Sequence, residues 1–337
     1  MANLTTNYMG LKLKNPLVLG ASNMVTDIEQ IKKAEAAGVS AVVYKSLFEE
    51  QVQLESLQLD EDLHEYDFRG AEMENIFPKI EHAGPKEHLL GLKKLKESIS
   101  IPVIGSLNAI YNPTWVEYAQ LLEETGIDAL EINFYRVPVS DEASAKMIED
   151  HQINVLKEVK QALKIPVSVK LSSFYTNPLN FISKLSKAGA DGIVVFNRFF
   201  QPEIDIENES FYFPWETTRK GDYQVTLRYL GLLYNKVEST LIANRGIKTP
   251  DDAVKMLLAG ADAVQVVSAF YENGIDYAST ILEGIEKWMD KKEYASINDF
   301  KGKLSKENIN DEFAYQRAQY IDILKNSSEI LKTHPLR

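Results

Sequence analysis

Ala37-Gly38-Val39-Ser40-Ala41-Val42-Val43-Tyr44 carries the phrase that decides the fold, because the phrase is repeated. Its other copies are Thr125-Gly126-Ile127-Asp128-Ala129-Leu130-Glu131-Ile132, Ala188-Gly189-Ala190-Asp191-Gly192-Ile193-Val194-Val195 and Ala259-Gly260-Ala261-Asp262-Ala263-Val264-Gln265-Val266. Each joins a small residue and a glycine to two further residues and then to an apolar run. Amphipathic stretches such as residues 28–37 and 253–259 precede them. Glycine adopts the left-handed backbone without steric cost, so the phrase predicts a helix closed by glycine, a short turn and a buried strand.

Four further apolar runs lie between the copies: Leu17-Val18-Leu19, Val103-Ile104-Gly105-Ser106-Leu107, Val167-Ser168-Val169-Lys170-Leu171 and Thr240-Leu241-Ile242-Ala243. Two share an Ile-Pro-Val entry, at Ile101-Pro102-Val103 and Ile165-Pro166-Val167. Proline is tolerated where a strand begins, because that amide need not join the ladder. Continuous β-branched runs indicate strands buried on both faces, as in a parallel sheet. Eight βα units over about 270 residues predict an α/β protein of the (β/α)₈ TIM-barrel type. A doubly wound open sheet is the competing architecture. It is disfavoured because no GxGxxG follows the first strand. Alternation of two phrase types also suits a closed barrel built from quarter units.

No linker or low-complexity stretch interrupts the chain, so residues 1–337 read as one domain. The barrel is expected over about 15–290 and a helical tail over about 291–337, packed on the barrel or against a second subunit. Two connections, 48–85 after strand two and 199–223 after strand six, are too long for plain turns. Both follow carboxyl ends of strands and read as lid insertions. The second carries Phe199, Phe200, Phe211, Tyr212, Phe213 and Trp215, as expected of a packed hairpin lid.

Composition removes several function classes. The formal net charge of −12 argues against a nucleic-acid partner, which needs a basic face. A small anionic ligand in a local cationic pocket remains compatible. The chain has no cysteine, which excludes disulfides, cysteine-ligated metal and cysteine nucleophiles. Its five histidines show no HxxxH or HExxH spacing, so no metal site is expected. No basic stretch leads into an apolar run at the N-terminus, and no run approaches the roughly 20 apolar residues of a membrane span. The expectation is a cytoplasmic protein without a membrane partner.

In a barrel of this kind chemistry comes from the carboxyl ends of the strands. Those positions hold Ala21-Ser22-Asn23, Lys45-Ser46, Asn108, Asn133, Lys170, Asn197-Arg198, Asn244-Arg245-Gly246 and Val267-Ser268. There is no histidine, and the only carboxylate, Glu131, lies earlier in its strand. Glycosidase chemistry, which needs two facing carboxylates, is disfavoured. The set suits an anionic, planar ligand rich in hydrogen-bonding groups. Lys45 and Lys170 would enter the barrel mouth, where a lysine is costly unless it meets an anion or reaches solvent. A Schiff-base lysine of a lyase or aldolase is the competing functional reading, and asparagines at strand ends can simply tie down turns. After strand seven, Asn244-Arg245-Gly246 precedes Thr249-Pro250-Asp251-Asp252, which reads as an N-cap, a proline at N1 and first-turn acids. After strand eight, 268–274 has the length of one extra helical turn. Loops after strands seven and eight commonly grip phosphate in such barrels, with Arg245 supplying charge and Gly246 allowing close approach.

Taken together, 15–274 resembles the dihydroorotate dehydrogenase family, and its soluble class 1 members in particular. The likeness rests on Asn15-Pro16 with Ala21-Ser22, Tyr44-Lys45-Ser46, Glu131-Ile132-Asn133, Val169-Lys170-Leu171, Asn197, Arg245-Gly246-Ile247 followed by Thr249-Pro250-Asp251-Asp252-Ala253, and Val264-Gln265-Val266-Val267-Ser268. Gly-Gly-Ile stands in the family where this chain has Arg245-Gly246-Ile247. The resemblance implies an FMN oxidoreductase that converts dihydroorotate to orotate in pyrimidine biosynthesis. It implies cofactor contacts at Ala21, Ser22, Lys45, Ser46, Asn108, Asn133, Lys170, Asn197, Arg245, Gly246, Val267 and Ser268, with Asn133 and Asn197 holding substrate. It also implies a soluble electron acceptor such as fumarate, and a homodimer.

The chain departs from the family where chemistry is done. The family's Asn-Leu-Ser-Cys-Pro-Asn, or its serine variant, is here Asn133-Phe134-Tyr135-Arg136-Val137-Pro138. Arg136 occupies the base position, and an arginine cannot accept a proton. Tyr135, Ser172 or water are the alternatives. The family's Met-Gly-Leu-Pro-Asn loop has no counterpart, although Glu74-Asn75-Ile76-Phe77-Pro78 lies in that region. The substrate is therefore open, between dihydroorotate and a similar carboxylate. An FMN-binding protein without turnover and a flavin-free lyase or aldolase stand as alternatives.

Overall fold

The computed structural model describes residues 2–50, 52, 85–110, 112–214, 216–311, 313–325 and 332. Eight parallel strands form its centre: β1 (Leu17–Leu19), β2 (Ala41–Val43), β3 (Val103–Asn108), β4 (Ala129–Asn133), β5 (Val167–Leu171), β6 (Gly192–Val195), β7 (Thr240–Ala243) and β8 (Ala263–Val266). Each pairs with the next, and β8 pairs with β1, so the sheet closes into a barrel. All eight coincide with the apolar runs, with differences only at their ends. Strand β2 stops one residue before Tyr44, while β3 and β4 run on through Asn108 and Asn133.

Helices α1 (Ile28–Ala36), α2 (Lys86–Ser98), α3 (Asn112–Glu124), α4 (Ala145–Ala162), α5 (Pro178–Lys187), α6 (Gln224–Leu233) and α7 (Pro250–Ala259) follow strands β1 to β7 in turn. After β8 come the short α8 (Ser268–Asn273) and then α9 (Tyr277–Lys291). Helix α7 begins as expected, with Thr249 and Asp252 forming a reciprocal cap and Pro250 in the first turn.

The repeated phrase has a physical basis beyond its glycine, which takes positive φ at Gly38, Gly126, Gly189 and Gly260. In three copies an aspartate stands just before the strand. Its carboxylate accepts an amide at the start of the preceding strand: Asp128 from Val103 N, Asp191 from Val167 N and Asp262 from Leu241 N, each at 2.7 Å. A lysine completes each site, namely Lys96 at 2.6 Å, Lys160 at 2.5 Å and Lys301 at 2.6 Å. In the first copy Ser40 donates through Oγ to Leu17 O at 2.8 Å. The phrase thus pins the start of one strand to the strand before it, which sets the register of the barrel.

Alternate strand residues face the helices and the barrel interior. Inside, Val18, Ala41, Val43, Ile104, Ala129, Val194, Ile242 and Ala263 pack against Tyr8, Met9 and Leu13. Those three belong to an N-terminal hairpin, Thr6–Tyr8 paired antiparallel with Leu11–Leu13. Thr6 Oγ1 donates to Asp262 O at 2.7 Å, and Met9 N donates to Thr240 Oγ1 at 3.0 Å, so the hairpin plugs the amino-terminal end of the barrel. The small inward residues at that end make room for it. At Gly192 an added Cβ would lie 2.8 Å from both Met9 Cγ and Tyr8 Cε2. Gly192→Ala is expected to lower the unfolding free energy by about 1 kcal/mol through overpacking, read from urea titrations of both proteins.

The two long connections rise from the opposite, carboxyl end. After β2, Leu47–Phe48 pairs with Leu107 and Asn108 and so prolongs the barrel wall. Most of this insertion, including Glu74-Asn75-Ile76-Phe77-Pro78, lies outside the described residues, as does Trp215. The connection after β6 forms the expected hairpin, Glu203–Asp205 with Ser210–Tyr212. Its tip projects from the barrel rather than packing on it: Ile206, Phe211 and Phe213 are 79%, 69% and 79% exposed. The tail packs on the barrel, with Gly302 N and Leu304 N donating to Leu257 O and Leu258 O, Lys306 N to Gly231 O, and Arg228 to Gln319 Oε1 at 3.0 Å. Helix α10 (Ala318–Lys325) is exposed at Tyr320, Ile321, Ile323 and Leu324. Among the described residues no helix is long and apolar enough to cross a membrane.

Candidate cofactor and substrate site

A cavity of about 510 Å³ opens at the carboxyl ends of the strands, within the range usual for small-molecule sites. It gathers most of the residues read from the strand ends: Ala21, Ser22, Lys45, Ser46, Asn133, Lys170, Asn197, Arg245, Gly246, Val267 and Ser268. Asn108 is buried at the end of β3 and does not line it. Among the described residues the lining holds four cationic side chains, Lys45, Lys170, Arg198 and Arg245, against one carboxylate, Glu216. A protein with net charge −12 has here concentrated positive charge in one concave place.

Three lining groups, Ser22 Oγ, Thr218 Oγ1 and Arg245 Nε, are buried and have no hydrogen-bond partner among the described residues. Buried polar atoms are nearly always paired, so this cluster calls for a polar ligand. Arg245 and Gly246 follow β7 with φ of +79° and +75°, turning the chain sharply at the mouth. A Cβ on Gly246 would lie 2.4 Å from Tyr223 N, so the turn packs directly on the backbone at the end of the β6 insertion. That insertion is tied back to the site. Thr218 N donates to Ser268 Oγ at 3.1 Å, and Glu216 accepts from Arg219 at 2.8 Å and, through its carbonyl, from Arg198. These donors fit a phosphate at the β7–β8 end of the cavity.

At the other end, Asn197 Nδ2 donates to Asn133 Oδ1 at 2.9 Å, and Ser46 Oγ lies 2.6 Å from Ser106 Oγ. Below them, Lys170 Nζ stands 3.3 Å from Glu131 Oε1 and donates to Gln265 Oε1 at 3.2 Å. Lys170 Nζ is thus held between a carboxylate and an amide oxygen.

The residue at the family's base position, Arg136, goes elsewhere. Tyr135 lines the main cavity, and its Oη accepts from Phe200 N at 3.0 Å. Arg136 is exposed and lines a neighbouring cavity of about 490 Å³, together with Ser172, whose Oγ accepts from Phe174 N at 3.2 Å. Neither Arg136 nor Ser172 lines the main cavity.

Lys45 has an electrostatic consequence for its neighbour His88 on α2. Burial first, and then the Lys45 charge, push the His88 imidazole down to about 4. Its Nε2 is buried without a hydrogen-bond partner among the described residues, and its ring meets Tyr44 edge-on at 5.1 Å. The unfolded chain, with His88 near 6.5, takes up the proton first. The stability that neutral His88 contributes is therefore complete above about pH 6.5 and is lost as pH falls toward 4. His88→Leu should flatten this acid limb of the melting temperature against pH. An unchanged slope would assign the limb to other groups.

Glu131 and Gln265 were not singled out as site residues, yet they support its floor. Strand alternation was the available signal, since Glu131 shares an inward face with Asn133, and Gln265 with Val267. Among the described residues no group of histidine, aspartate and glutamate side chains is placed to hold a metal.

A family model described as dihydroorotate dehydrogenase matches residues 75–289. The catalytic subunit of dihydroorotate dehydrogenase B (NAD(+)) from Thermoplasma acidophilum is 26% identical over 321 residues, covering 90% of this chain and 99% of that one. The protein of the same description from Pyrococcus abyssi is 28% identical over 315 residues, covering 89% and 98%. That from Methanosarcina acetivorans is 29% identical over 304 residues, covering 86% and 93%.

Proposed function

The chain belongs to the dihydroorotate dehydrogenase family, whose members bind FMN, and from that premise we propose that it is an FMN-dependent oxidoreductase acting on a CH–CH bond of a small carboxylate-bearing substrate, with dihydroorotate itself a poor one. The observation that carries the cofactor part is the trio of buried polar atoms on Ser22, Thr218 and Arg245, without hydrogen-bond partners among the described residues, in one cationic cavity. When bound, FMN supplies a hydride acceptor. Arg245, Gly246 and Ser268 hold the phosphate, and Lys45 and Lys170 place positive charge beside the ring system. Asn133 and Asn197, fixed by their mutual hydrogen bond, orient the substrate. Phe200 and the 216–218 strap shield the cavity from water. The three relatives above are named for NAD(+), and a further one, 27% identical over 308 residues, for fumarate; for this chain we take the acceptor to be a soluble molecule, and the chain to work as a homodimer.

Substrate identity is tested by anaerobic bleaching of the yellow holoprotein with dihydroorotate and with other saturated cyclic and acyclic carboxylates. Bleaching by one of the latter, and only slowly by dihydroorotate, is the expected result. A protein that takes up no FMN on reconstitution overturns the reading.

A further inference from the structure

The polar layer at the centre of the barrel contains a charged group with no contact to the cavity. Glu131 is fully buried, and Gln265 and Lys170 are 1% and 6% exposed. Lys170 and Gln265 line the cavity, whereas Glu131 does not. Gln265 stands between the two charges: its Oε1 accepts from Lys170 Nζ at 3.2 Å, and its Nε2 donates to Glu131 Oε2 at 2.6 Å. Glu131 Oε1 lies 3.3 Å from Lys170 Nζ but has no aligned hydrogen bond among the described residues, so the direct contact is one of charge. The Glu131 field reaches below as well as above. The phenol of Tyr8, in the plug, is raised well above its ordinary pKa by burial and then by the Glu131 charge.

An apolar trio could close this layer without the desolvation that a buried ion pair entails. What the pair adds is a fixed charge balance beneath the cavity, in a low-dielectric place where it acts strongly on a neighbour. Resting on the FMN reading of the cavity, we propose that Glu131 is a positioning residue that sets the reduction potential of the bound flavin. Its carboxylate offsets part of the Lys170 charge presented to the cavity, directly and through Gln265. Reduction adds negative charge to a flavin, so removing the carboxylate favours the reduced form and adding one disfavours it.

The test compares wild type, Glu131→Gln, Gln265→Glu and the double variant as FMN-loaded proteins. The two-electron midpoint potential is read by dye equilibration, and the affinity for oxidised FMN by fluorescence. Glu131→Gln should favour reduced over oxidised flavin about tenfold, an upward shift of about 30 mV. Gln265→Glu should shift the potential downward, and the double variant, which only relocates the carboxylate, should return toward wild type. If Gln265→Glu does not fold, Lys170→Gln replaces it, with the same downward shift expected. A merely structural layer predicts shifts of one sign or none. That result, with full FMN occupancy, overturns the inference alone. Failure of wild type itself to bind FMN overturns the cofactor reading along with it.

Discussion

Flavin reduction by dihydroorotate is expected to be about 10²–10⁴-fold slower here than in a family member with a cysteine or serine base. A hydride leaves a saturated carbon readily only if the neighbouring carbon gives up its proton to a base within hydrogen-bond reach. Arg136 cannot accept a proton, and it lines the neighbouring cavity rather than the main one. Ser172 lies in that same neighbouring cavity and accepts from Phe174 N. Tyr135 does line the main cavity, but its Oη is engaged by the Phe200 amide. Restoring a thiol by Arg136→Cys should therefore leave the rate within about threefold of wild type, because the side chain points out of the site. Stopped-flow absorbance under anaerobic conditions measures both rates. Rapid reduction by wild type would show that another group takes the proton, and a large gain in Arg136→Cys would show that the 134–138 loop turns inward when substrate binds.

The barrel was legible because its signals are local and repeated. Glycine after a helix and proline at a strand entry each act within a few residues, and together with the apolar runs they mark the eight strands almost to the residue. The turn that leads into α7 was legible for the same reason, since Thr249, Pro250 and Asp252 spell out the start of that helix. The plug was not legible. Its strands are three residues long, too short for periodicity to show, and their partners are spread over β1 to β4 and β6 to β8. The meeting of Glu131, Lys170 and Gln265 was not legible either. Alternation turns each of them inward, but their contact depends on the stagger of β4, β5 and β8 around the closed barrel. The direction of Arg136 was hidden for another reason. Beyond Asn133 the chain leaves the strand, and no period governs where the next side chains point.

Arg245→Gly is expected to weaken FMN binding by about 10- to 100-fold while making the FMN-free protein slightly more stable. Two costs fall on Arg245 when no ligand is present. Its φ of +79° is a conformation that a residue with a Cβ enters at a cost of about 1–2 kcal/mol, and glycine would relieve it. Its Nε is also buried without a partner among the described residues, which leaves a desolvated donor uncompensated. A side chain held under both penalties at the mouth of a cationic cavity is best accounted for by what it binds. The resembling family has glycine at this place, so the backbone turn itself does not need arginine. Removing the side chain forfeits a charge-assisted bond to phosphate, worth about 1.5–3 kcal/mol. The melting temperature of the FMN-free variant should rise by about 2 °C. Fluorescence titration with FMN and with riboflavin separates phosphate binding from ring binding, because only FMN carries the phosphate. FMN should lose affinity and riboflavin should not. Equal losses for both would place the phosphate away from Arg245, and a lower melting temperature would mean that the arginine already has a stabilising partner in the FMN-free protein.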